Sequence, residues 1–276
     1  MSYAAQVIAD SISPAGVRFT TIEATYPLII HAQLMKHRML SASSSSNRAI
    51  SLKRLAREVE TDPYVPERWF AEKKGMSPGD ELDPERSEQA TKHWIQAADE
   101  ARLTVLYRLA ADGVHRQWAN RILGPFQWIT TVFSGTEWEN VWYQRCHPDA
   151  QDEARKIATM MRDAMEASTP RPLVLGNWHL PYIDVADCEF AYQFDLRKIS
   201  AARAARTSYL TKGDKKPLLE DLDLYGRLTG DHPHPVPLEH VATPIEDPDV
   251  FCSNVKGWCQ MRHQEIGGKH MVQVLA

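Results

Sequence analysis

Hydrophobic and polar positions alternate over residues 17–24 (VRFTTIEA), with Val17 and Phe19 on one side, and predict a strand. Pro27 then opens PLIIHAQLMKHR, where Ile30 and Leu34 share one face of a short helix. The run SASSSSN follows. Such runs are usually flexible linkers, but this one is short and flanked by His37, Arg38 and Arg48. Pro63, Pro66, Pro78 and Pro84 make residues 60–86 an ordered surface connection. Asp83 is placed to cap a helix that has Pro84 at its first position and Trp94, Ala98, Ala101, Val105 and Leu109 on one face. A second helix, about 115–123, carries Trp118 and Arg121.

Residues 126–133 (FQWITTVF) read as extended and buried. Thr136 and Glu139 have the spacing of a capping box and predict the start of a helix carrying Asn140 and Arg145. From Asp149 another helix, with Asp152 and Glu153 in its first turns, buries Ala154, Ile157, Met161 and Met165. GNWHLPYI (176–183) is aromatic and turn-like, 199–210 reads as a helix running into a serine, and PHPVPLEHVATP as a proline-stiffened loop. The sum is mixed α/β with more helix than strand, taken as a single catalytic domain over 1–276 without internal repeats.

Composition narrows the class. The chain has 276 residues, 43% of them apolar, enough for one large core or two small ones. Net charge is −4, and Lys and Arg are spread rather than blocked, so a polyanion-coating surface and a nucleic-acid partner are not expected. No apolar run approaches the roughly 20 residues of a membrane span. The N-terminus (MSYAAQVIADSISP) does not read as a signal peptide. Cys146, Cys188, Cys252 and Cys259 form no CxxC pair and fit reduced thiols in a cytoplasm.

The sharpest local chemistry is QLMKHRMLSASSSSNR, residues 33–48. It places Gln33, Lys36, His37 and Arg38 on a helix end and Ser46 and Arg48 shortly beyond. Hydroxyls, backbone N–H groups and a guanidinium fork in one stretch suit a phosphate or a nucleotide; a solvated helix end with a polar loop is the plain alternative.

This segment resembles the signature of the flavin-dependent thymidylate synthases: an RHR triplet, seven residues, then S-x-R. Here it reads KHR, MLSASSS, then Ser46-Asn47-Arg48, with Gln33 matching a glutamine ahead of the triplet and Ser41 its first serine. Lys36 stands where the family has arginine, and Ser44 where it has glutamate. A second block matches in Asn140, Arg145 and Ala150-Gln151, with Arg121 the best match for an upstream nucleotide-contacting arginine. A third is out of order: ARTSYL around Ser208 and PLEH ending at His240 resemble elements that precede the signature in the family, whereas FTT (19–21) resembles the strand that follows them. The order implied is a circular permutation, with a signature section 17–50, a helical section 84–168 and a section 196–245 equivalent to the family's N-terminal part.

The resemblance implies the family's mixed α/β fold and a homotetramer with active sites shared between subunits. It implies transfer of the methylene of methylenetetrahydrofolate to dUMP, completed with FAD reduced by NADPH. Gln33, Lys36, Ser44, Ser46, Arg48, Arg121 and Arg145 would then contact the nucleotide, Arg145 lying at the pyrimidine. Lys36, His37, Arg38, Ser44, Ser134, Thr136, Asn140, Ser208 and His240 would face FAD. The changes at Lys36 and Ser44 leave open a hydroxymethylated product or dCMP as substrate, and a flavin- or nucleotide-binding protein without turnover is a further alternative. Cys146, between Arg145 and His147, has the neighbours of an activated thiolate, but the other residues of a cysteine-dependent synthase are absent. His232 and His234 could hold a metal but read as a polar turn, and no metal is expected. Trp94 and Trp138 are expected in the core; Trp178 and His179 are candidates for a substrate wall.

Overall fold

The computed structural model of the chain describes residues 2–75, 77–190, 193, 195–209, 217–231 and 233–265. Its chain order begins β1 (Ala4–Ile12), β2 (Arg18–Pro27), α1 (His31–Leu34), β3 (Ser41–Ser44), α2 (Leu52–Thr61) and α3 (Pro84–Leu103). It continues α4 (Arg116–Ala119), β4 (Trp128–Gly135), α5 (Glu139–Arg145), α6 (Asp152–Ala167), β5 (Arg171–Pro172), α7 (Val185–Cys188), α8 (Leu196–Ala205) and α9 (Leu218–Thr229). The short strands β6 (Ala242–Pro244), β7 (Phe251–Cys252), β8 (Val255–Lys256) and β9 (Trp258–Gln260) precede α10 (Met261–Glu265).

One five-stranded sheet, ordered β3-β4-β2-β1-β5, organises the site. β2 pairs antiparallel with both β1 and β4, and β3 pairs antiparallel with β4 from Ser41 opposite Ser134 to Ser44 opposite Thr131. Alternation along β2 sorts its side chains between two layers. Ile22, Ala24 and Tyr26 join Phe133 against Trp138, Val141, Ile157 and Met161 of the α5–α6 layer. Phe19 points the other way, to Leu173, Ala242, Val255 and Trp258. Full burial of a side chain such as Ile22 stabilises by about 1.5–3 kcal/mol.

Asp83 accepts from Arg86 N and Pro84 occupies the first turn of α3, as the sequence predicts. α3 runs into a π-helical turn, Thr104–Leu109, and its inner face packs Ala98 and Val105 on Leu55, Val59, Leu123 and Phe126. Ala154, Ile157 and Met161 of α6 are buried, and Met165 packs partly buried against the same core.

Two features differ from expectation. β1 is not signalled in the sequence, because most of its residues are only half-buried and show no clean alternation. The Thr136–Glu139 capping box does not form: Trp138 is the N-cap of α5, with no side-chain cap, and Thr136 Oγ1 accepts from Lys256 N at 3.0 Å. A tertiary donor has taken the hydroxyl the local motif would have used. Among the described residues, no helix is long and apolar enough to cross a membrane.

Candidate functional site

Leu34, His37 and Leu40 are buried while Met35, Lys36, Arg38 and Met39 are exposed, so the turn after α1 drives the middle residue of KHR inward. Two turns fix it: His37 N donates to Leu34 O at 3.2 Å, and Leu40 N donates to His37 O at 3.0 Å. His37 Nε2 accepts from Arg145 Nε at 2.9 Å, and the same guanidinium donates to Gln33 O at 3.0 Å. Burial, then the Arg145 charge, pushes the His37 pKa below its ordinary value. The imidazole is therefore neutral, with its proton on Nδ1. The Gln33 amide donates to Gln151 Oε1. The signature and the Asn140–Gln151 block, over a hundred residues apart, meet here.

β3 carries the rest of the signature away from this cluster, over about 10 Å from Ser41 to Ser44 at roughly 3.3 Å per residue. Ser44 Oγ contacts Thr131 Oγ1 at 3.0 Å. Ser46 N donates to Ser208 O at 3.1 Å, so the turn Arg206–Tyr209 lies against the serine run. Arg48 N donates to Ser46 Oγ at 3.3 Å. Asn120 Nδ2 donates to Asn47 O and Ile50 O, fixing the loop beside the 3-10 turn Asn120–Phe126. The Arg48 and Arg121 side chains are exposed, Arg121 donating to Gln117 O of its own turn. Asn140 is exposed as well and accepts from Gln144.

Ser134 and His240, expected beside a flavin, do not face this surface. Both are fully buried, because Ser134 lies on the face of β4 turned towards the C-terminal layer. They belong to a chain of six groups: Ser43 Oγ, His240 Nε2 and Nδ1, Ser134 Oγ, Thr21 Oγ1, His179 Nε2 and Nδ1, and Ser11 Oγ. Successive contacts span 2.6 to 2.9 Å. Burial pushes the His179 pKa down to about 3. A buried polar chain with every member partnered favours one arrangement of the layers it joins. Thr136, held to Lys256, is committed to the same layer.

Sequence reasoning missed that relay, although the alternation of Ser41 and Ser43 with Ala42 and Ser44 carries its signal. It also missed a buried ion cluster. Arg203 pairs with Asp187 at 2.5 Å and with Asp221 at 2.9 Å, and Arg206 pairs with Asp221 at 2.8 Å. The cluster anchors α8 and the 3-10 turn Arg206–Tyr209 that presents Ser208.

Trp94 and Trp138 pack inward as expected, Trp138 stacked on Trp142 with centroids 5.2 Å apart. Trp178 lines an open cleft of about 840 Å³ with Asn177, Arg171 and Arg197, and the Arg197 guanidinium sits 5.1 Å from its ring centroid. His179 is no wall of it, being consumed by the relay. His232 lies outside the described residues, and no group of three or more metal-ligating side chains occurs among those described.

The arrangement is a neutral imidazole clamped by an arginine, flanked by exposed Lys36 and Arg38, with Arg48 and Arg121 exposed beyond β3. Two solved structures are similar to part of this chain. The UMP/dUMP methylase PolB from Streptomyces cacaoi, bound with 5-Br UMP, is 17% identical over 59% of this chain and 88% of its own, with a TM-score of 0.48. The flavin-dependent thymidylate synthase ThyX from Helicobacter pylori, complexed with FAD and dUMP, is 16% identical over 53% of this chain and 67% of its own, with a TM-score of 0.37. No curated protein matches the chain. The family model described as thymidylate synthase complementing protein matches residues 13–171, more than half of the chain, and takes in the signature, Arg145 and Gln151. The chain belongs to the thymidylate synthase complementing protein family.

Proposed function

We propose that this protein transfers the one-carbon unit of methylenetetrahydrofolate to C5 of dUMP as a flavin-dependent thymidylate synthase. The single observation that carries the reading, beside family membership, is the Arg145–His37 contact. It joins the residue expected at the pyrimidine to one expected at the flavin.

The donor set fits FAD. Lys36 and Arg38 present two exposed cations beside the buried His37, as a dinucleotide's phosphates require, and Asn140 offers an exposed amide from α5. Bound there, FAD reduced by NADPH supplies the electrons that complete the methyl group. The chain's own residues bind and orient. Arg48, Arg121, Ser46 and Gln33 hold the nucleotide, chiefly its phosphate. Arg145 stays protonated, so it is no base, but it stabilises negative charge developing on the pyrimidine. His37 fixes the Arg145 fork by accepting at Nε2, which leaves Nδ1–H as a donor.

A homotetramer with shared sites is part of the same proposal. Met35 and Met39 flank the two cations, Trp118 and Ile122 flank Arg121, and Tyr143 stands near Arg145; all five are exposed. Apolar side chains gathered around a polar site suit an interface with other subunits. Light scattering on the purified protein measures the assembly, and a monomer would remove that part of the reading.

The deciding experiment pairs a spectrum with a product mass. Purified protein is expected to be yellow and to release FAD on denaturation. With methylenetetrahydrofolate and NADPH it is expected to convert dUMP, and not dCMP, to the methylated nucleotide. A colourless protein that takes up no added FAD overturns the assignment; a hydroxymethylated product, or dCMP as the preferred substrate, replaces this activity by another.

A further inference from the structure

β7, β8 and β9 form a compact unit against the signature strand. β7 and β8 make a hairpin whose turn contains Ser253, at φ 64°, and Gly257, at φ 67°, bends the chain into β9. Beside its φ, which strains any side chain, Gly257 has Pro248 O 3.0 Å from where a Cβ would stand, so the neighbour would have to give way as well. The two turns bring Cys252 of β7 and Cys259 of β9 together, with their sulfurs 3.5 Å apart. Both are half-buried free thiols.

The unit is attached to the predicted site by three hydrogen bonds. Asn254 Nδ2 and Gln260 Nε2 both donate to Ser41 Oγ, at 3.1 and 2.9 Å, and Lys256 N donates to Thr136 Oγ1 at 3.0 Å. Gln260 also donates to Glu239 O, next to His240 of the relay. The two cysteines thus lie between strands that fix the start of β3.

We propose that Cys252 and Cys259 form a redox-active dithiol that exchanges with small-molecule disulfides and closes into an intramolecular bridge across this unit. The sulfurs need only close from 3.5 Å to about 2.05 Å, an adjustment within reach of side-chain rotation. Cys252 attacks first. The contact between the two sulfurs pushes the Cys252 pKa down to about 7 and the Cys259 thiol up, which favours Cys252 as the attacking thiolate. The Cys252 thiolate displaces one thiolate from a disulfide RSSR, leaving Cys252–S–SR, and the released RS⁻ takes up a proton. Cys259 then loses its proton and attacks Cys252 Sγ, expelling the second RS⁻, which is protonated in turn. The protein dithiol is oxidised by two electrons and RSSR is reduced to two RSH. The bridge ties β7 covalently to β9, the strands beside which Asn254 and Gln260 hold Ser41.

Oxidised glutathione is the probe, applied to the intact chain with any bound flavin left in place. Samples are quenched by alkylation and digested with trypsin, which cuts after Lys256, between the two cysteines. The expected result is loss of the mass of two hydrogens and two tryptic peptides joined through Cys252 and Cys259, separated again by reductant. Cys259→Ser is expected to retain one glutathione on Cys252, and Cys252→Ser to leave Cys259 largely alkylatable. Wild-type protein whose two cysteines are both alkylated after exposure, or that keeps glutathione on Cys252 with Cys259 free, overturns the proposal. The wild-type measurement decides alone if either variant fails to fold, and it is independent of turnover.

Discussion

Arg145 Nε donates to His37 Nε2 across 2.9 Å, and the rest of that guanidinium reaches back to Gln33 O. The contact sets the imidazole's tautomer and aligns the arginine's plane at once. Arg145→Ala removes both effects and the charge; Arg145→Lys keeps the charge but not the fork. Turnover of dUMP is expected to fall by about 10²–10³ in the alanine variant, the range for losing one preorganised charge-stabilising donor. The lysine variant should lie between it and wild type. Steady-state kinetics on folded, flavin-loaded protein check this, and near-normal turnover in Arg145→Ala would show that Arg145 does not serve the reacting ring.

Cys146 follows Arg145 at the end of α5, half-buried and unbridged. A flavin route needs no enzyme thiolate, so Cys146→Ala should keep most of its turnover. Complete loss of product in a folded, flavin-loaded Cys146→Ala protein would move the mechanism to covalent catalysis by that thiol.

The relay makes stability depend on acid. His179 is fully buried and its folded pKa of about 3 lies below the ordinary 6.5 of the unfolded chain. A histidine held neutral in the fold binds more protons when unfolded, so stability rises with pH through that window. The contribution is complete above about pH 6.5 and is lost as pH falls from there towards 3. Urea midpoints measured at intervals over this range should fall steadily in wild type and less steeply in His179→Gln. Equal slopes in the two proteins would mean that His179 is not the group being titrated.

Asp221 is fully buried between Arg203 and Arg206. Asp221→Ala leaves two arginines short of a partner, and breaking a buried pair from one side costs about 3–5 kcal/mol. The denaturation midpoint should drop accordingly, with Asp221→Asn less affected because its amide oxygen still accepts. A loss under about 1 kcal/mol would show that Asp187 and solvent hold the cluster unaided.

Lys36 offers a point charge where the family's pattern has a planar fork. Lys36→Arg is expected to retain turnover and to bind FAD at least as tightly, read from flavin retention on dilution. If Lys36→Arg keeps its FAD but makes no product, lysine takes part in the chemistry itself.

Much of this protein was set by local sequence. β2, the Asp83–Pro84 start of α3, the inner face of α6 and the inward Ile30 and Leu34 follow from periodicity and capping, which act within a few residues. The KHR signature and the Asn140–Arg145 block are likewise legible as residue types at fixed spacing. Tertiary structure decided where those residues face. His37 turns inward to Arg145 while Lys36 and Arg38 stay outside, and Thr136 abandons its helix for Lys256 N. Ser134 and His240, nominated for a flavin, are enclosed in a chain of hydroxyls and imidazoles joining the sheet to the C-terminal layer. The reason is physical: capping and periodicity are local, whereas a buried polar atom takes whichever partner the packing of distant segments delivers.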